Sequence, residues 1–64
     1  MIVLTRHNGK AVVVNADLIE TAEAADDGTT VVTLTTGNVL AVEESLEAVR
    51  EAAVAFRRRI GSMS

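Results

Sequence analysis

The hydrophobic period of this chain changes once, at Glu43, and that change limits what it can fold into. Before it, short β-branched runs alternate with turn residues; after it, Leu46, Val49, Ala53, Phe56 and Ile60 recur at spacings of three and four. A period of two lays side chains on one face of a strand, whereas a period near 3.6 lays them along one stripe of a helix. Residues 1–42 are therefore read as a small, mostly antiparallel β-sheet and residues 43–60 as one C-terminal α-helix. The fold class is α+β, with two hairpins and about four or five strands. We expect a single domain over residues 1–61 and a frayed tail at 62–64.

Within the sheet region, Ile2–Thr5 and Ala11–Val14 flank Arg6-His7-Asn8-Gly9-Lys10. Asn-Gly is a strong hairpin signal because both residues tolerate positive φ, so these runs form the first hairpin. Asn15 turns the chain by bonding its own backbone. The segment 17–25 reads two ways, its Ala and Glu favouring helix and its place between strands favouring strand; Ile19–Ala24 is taken as a strand. Asp26-Asp27-Gly28-Thr29 is a turn, with Gly28 at the left-handed position. Thr30–Thr35 alternates as a strand does, and Thr36-Gly37-Asn38 turns it into Val39–Val42.

The helix begins with Glu43, Glu44 and Glu47 and ends with Arg57, Arg58 and Arg59, both clusters suited to its dipole, with Gly61 placed to stop it. A helix from 44 to 60 runs on the order of 25 Å, and strands of four to six residues only about 13 to 20 Å. On that mismatch Phe56 and Ile60 project past the domain's own core. The stripe Leu46, Val49, Ala53, Phe56 and Ile60 is then a homo-oligomer interface, with Ala48, Ala52 and Ala55 as a small-residue face. The other arrangement lays the whole stripe over one sheet.

Composition narrows the functional classes. A 64-residue chain without Cys has neither disulfides nor a thiolate zinc site to supplement its core. That core is thin, because the apolar 48% is mostly Val and Ala. A net charge of −3 disfavours general nucleic-acid binding, and only Phe56 is available for base stacking. No run approaches the length of a membrane span and no signal peptide is evident, so a cytoplasmic location is expected.

No catalytic constellation emerges. His7 is the only imidazole and sits beside a turn, where a solvated role is the ordinary one. Asp26-Asp27 is too short for a calcium loop. Glu20 and Glu23 differ by an odd number, so a strand points them to opposite faces rather than pairing them for acid–base work. The isolated glycines Gly9, Gly28 and Gly37 form no phosphate-binding fingerprint. We expect no enzyme activity, no cofactor and no metal. Arg57-Arg58-Arg59 offers either a solvated helix end or weak attraction to an acidic protein or an anionic membrane surface.

Leu4-Thr5-Arg6, Asn8-Gly9, Asn15, Leu18-Ile19-Glu20, Glu23, Thr33-Leu34, Gly37, Val42 and Glu44-Ser45 stand in an order and spacing that resembles the small bacterial flagellar proteins of the FlbD/SwrD family. The likeness runs from Met1 to about Val49, and its N-terminal part is the more specific. It implies a non-enzymatic cytoplasmic accessory of flagellar motility that supports motor output, and nothing here resembles the larger transcriptional regulator of the same name. Many members have Pro at the position of Ala16 and a Pro-Asp-Thr turn where this chain has Asp26-Asp27-Gly28-Thr29.

Among the matched positions, Asn8, Gly9, Asn15 and Gly37 read as turn formers, while Arg6, Glu20 and Glu44 have no evident structural duty and are the expected partner contacts, with Arg57, Arg58 and Arg59 beside them. The expected partner is a flagellar motor component or another flagellar protein. The alternative is a small regulatory or nucleic-acid-binding module that uses the basic helix end.

Overall fold

Three tight turns built to one plan divide the first 42 residues. In the first, the Arg6 N–H donates to the Lys10 carbonyl at 2.8 Å and the Gly9 N–H to the Arg6 carbonyl at 2.8 Å. Gly9 has φ +86°, whereas no residue other than glycine has positive φ among the described residues. Asn8 is thus not left-handed as the Asn-Gly signal implies. Its Oδ1 instead accepts the Lys10 N–H at 3.0 Å, which makes the connection a type I turn closed by a glycine bulge. Gly28 and Gly37 close the other two turns by the same pair of bonds, from Ala25 to Thr29 and from Leu34 to Asn38. The Thr29 hydroxyl reaches Asp27 Oδ1 at 2.6 Å and holds that carboxyl below its usual range.

The computed structural model describes the backbone of residues 1–63 and the side chains of residues 1–57. The strands are β1 (Ile2–Thr5), β2 (Ala11–Val14), β3 (Ile19–Ala24), β4 (Thr30–Leu34) and β5 (Val39–Val42), followed by helix α1 (Leu46–Met63). They form two antiparallel sheets, β1-β2 and β3-β4-β5. The sheets join where Arg6 bridges Val42, the His7 N–H reaching the Ala41 carbonyl at 3.0 Å and the Glu43 N–H the Thr5 carbonyl at 2.8 Å. The small α+β fold read from the sequence is the fold found.

The ambiguous segment contains two structures. Asn15 caps a 3-10 turn over Ala16–Leu18 by accepting the Asp17 N–H at 3.1 Å, and a strand follows directly. That strand, β3, breaks register between Ile19 and Thr21. The bulge at Glu20 lets Ile19 and Ala22, three residues apart, both pack against the core. Strand β4 ends at Leu34, one residue before the expected Thr35, whose N–H goes to the Leu18 carbonyl at 2.7 Å.

The core is aliphatic: Ile2, Leu4, Val14, Ala16, Val32, Leu40, Val42 and Val49 are buried. Side chains of this size contribute about 1.5–3 kcal/mol each when fully buried, Ala less. Helix α1 packs against both β1 and β3. A helix of this length, about 27 Å, reaches from one sheet to the other. It therefore spans the two sheets and covers the core between them.

Ser45 caps that helix, its Oγ accepting the Ala48 N–H at 3.1 Å. Of the three expected N-terminal acids only Glu47 lies in the first turn. At the other end the helix continues through Gly61 to Met63. Glycine costs about 1 kcal/mol in a helix but does not forbid it, and no proline follows to enforce a stop. Because of this extension no basic residue occupies the last turn, so the run Arg57–Arg59 does not cap the dipole as expected. Ser64, part of the expected frayed tail, lies outside the described residues.

Candidate functional site

The residues expected at the surface divide into a structural group and an available group. Glu44 belongs to the first, which corrects its assignment as a residue without structural duty. Its Oε1 accepts the Thr5 N–H at 2.8 Å and its Oε2 the Thr5 hydroxyl at 2.9 Å. Its own carbonyl accepts the hydroxyl of Thr30 at 2.7 Å. One residue thus ties the end of β1, the start of β4 and the approach to α1. Partial burial opposes ionisation of this carboxylate, but the Thr5 hydrogen bonds prevail and hold its pKa below the ordinary value.

The helix stripe is also largely structural. Val49 is only 2% exposed, and Ala53 and Phe56, with Ala52, pack against the chain's own core. The expectation that Phe56 projects past the core is therefore corrected, because the helix contacts both β1 and β3 and its stripe stays over the core as far as Phe56. Leu46 sits at the rim, 38% exposed. The side chains of Ile60, Arg58 and Arg59 lie outside the described residues, while Arg57 is exposed. Arg50 pairs with Glu47 at 3.3 Å along the outer face of the helix.

Glu20 and Glu23 stand exposed on β3. His7 is exposed in the first turn and shares a shallow depression with Asp27 and Glu43. Among the described residues no three His, Cys, Asp or Glu side chains are grouped to hold a metal. No described helix is long and apolar enough to cross a membrane.

The available surface lies elsewhere, in a groove of about 550 Å³ between β2 and β5. Its walls include Val13, Leu18, Leu34 and Val39, and Arg6 stands at the junction of the two sheets. Val13 and Val39 are about as exposed as surface residues ordinarily are, at 62% and 61%, although both are branched aliphatics. Val3, opposite Val13 in the first hairpin, is likewise exposed. Of the expected partner contacts among the described residues, Arg6 alone lines this groove. Val13 and Val39 do not figure among the expected contacts, yet a signal for both exists: Ala11–Val14 and Val39–Val42 are apolar without interruption, so both faces of β2 and β5 are apolar.

The chain matches, over residues 1–61, the family model described as FlbD: Flagellar and Swarming motility proteins. No curated protein and no solved structure matches it.

Proposed function

The chain belongs to the FlbD family of flagellar and swarming motility proteins, and from that premise we propose that it is a non-enzymatic accessory of flagellar motility acting by protein–protein contact. Its place is the cytoplasmic side of the flagellar motor, and its effect is to support motor output. The observation that carries the contact part is the groove between β2 and β5, where Val13 and Val39 stay exposed although the chain has few large apolar side chains to bury. Branched aliphatics gathered around a concave surface suit a binding site better than a solvated one.

Self-association through α1 is a narrower proposal than the sequence implies. Only Leu46 and Val54 remain exposed on the described part of the helix as large apolar side chains. Sedimentation of the wild type and of Leu46→Asp over a wide concentration range tests it; a mass that stays monomeric in both removes the helix interface.

The function is tested by deleting the protein and scoring swimming and swarming beside filament staining. Normal filaments on poorly moving cells support an accessory of motor output, and rotation of tethered cells then measures the lost torque. Missing filaments overturn that reading in favour of an assembly role, and unimpaired movement overturns both.

A further inference from the structure

Two strand edges border the groove, and their chemistry states what kind of chain they accept. In an antiparallel pair, alternate residues turn their peptide groups away from the partner strand. The Leu34–Asn38 bond sets that alternation for β4 and β5, leaving Val39 and Ala41 to point their peptide groups outward. Ala41 uses its carbonyl on the His7 N–H. Val39 lies beyond this last bond between the sheets and lines the groove, and its outward N–H and carbonyl make no backbone bond to the other sheet among the described residues.

Free edges invite pairing, and folded proteins ordinarily blunt them with charge or proline. The edge at β3 is blunted in this way, since Glu20 and Glu23 stand exposed on it. Strands β2 and β5 contain only Ala, Val and Leu. The open edge is thus the apolar one, and it is the edge that borders a concave surface.

Charge identifies the occupant further. Arg6 is the only charged side chain among the described residues that line the groove, and it has no carboxylate partner among the described residues. Resting on the reading of this protein as one that works by protein contact, we propose that the groove takes an extended peptide segment of a partner protein, paired to the β5 edge at Val39. Alternate apolar side chains of that segment lie against Val13, Leu18 and Leu34, and an acidic side chain meets Arg6. This mode draws affinity from main-chain hydrogen bonds and specificity from alternate side chains.

The test uses the full chain as bait for a library of displayed random dodecapeptides, with enriched sequences synthesised and titrated into isotope-labelled protein. The expected consensus alternates apolar residues and carries Asp or Glu at one end. Binding should shift the Val13 and Val39 amide signals and slow hydrogen exchange at Val39. Arg6→Glu, on an exposed side chain, should weaken the acidic peptides by about tenfold or more and shift selection toward Lys and Arg. Val39→Asp should abolish binding while the remaining amide spectrum stays folded.

Enriched peptides that lack an acid, or that bind Arg6→Glu equally well, overturn the proposal. So does a failure to enrich any peptide, whether the bait is a monomer or a dimer in which a second copy covers Val39. A deletion strain fully rescued by the Arg6→Glu, Val39→Asp double variant overturns the groove but leaves the motility role standing. A deletion strain that moves normally overturns the motility role whatever the peptides do.

Discussion

Thr30 is a polar side chain buried to 1% exposure in the middle of an aliphatic core, and its hydroxyl is accounted for by one bond to the Glu44 carbonyl. Thr30→Val keeps the shape and deletes that donor, so the carbonyl loses its partner. A loss of about 1 kcal/mol is expected, read from urea unfolding with an unchanged slope. At Gly9 the constraint is backbone conformation alone: φ is +86° and nothing lies within 4 Å of where a Cβ would stand. Gly9→Ala should therefore cost about 1–2 kcal/mol, and Gly9→Asn less, because Asn tolerates the left-handed region; thermal melts of the pair check both. The turn glycines are legible in the sequence because their cause is local. Thr30 and Glu44 are not, since a strand Thr normally reports β-propensity and the Thr5–Glu44 bond spans 39 positions.

At the scale of elements, alternation marks a strand only while the strand is regular. The first two strands and β5 have the limits that their β-branched runs imply, from Ile2 to Val42. Strand β3 reads ambiguously because its Ala and Glu favour helix, and the bulge at Glu20 also places inward residues three apart, a spacing that alternation does not reveal. The helix start is marked by Ser45 rather than by the acids before it, and Glu44 turns back to the sheet instead of entering the first turn. Ser45→Ala removes the capping oxygen from the Ala48 N–H. It should lower stability by about 1 kcal/mol and reduce the far-ultraviolet helical signal first at its N-terminal turn, where amide exchange resolves the change.

For the molecule as a whole, the junction at Glu44 decides how the parts hold together. The two sheets share only a short bridge at Arg6 and Val42, and the helix follows directly from β5. The Glu44 carboxylate grips β1 while its carbonyl receives β4, so ionisation of one side chain bears on the alignment of both sheets. Its pKa is lower in the folded chain than in the unfolded one, despite the burial that opposes this, because the Thr5 bonds favour the charged form. The unfolded chain consequently binds more protons as the solution is acidified. The stabilisation is fully present above the unfolded glutamate value of about 4.3 and is lost as pH falls through the depressed folded value. Glu44→Gln removes the titration, so the variant should be less stable than the wild type near neutrality and should lose less further stability below about pH 4. Urea midpoints measured at intervals of pH separate the outcomes: converging acid limbs support a structural carboxylate, whereas parallel curves offset by a constant would place the acid sensitivity in other groups.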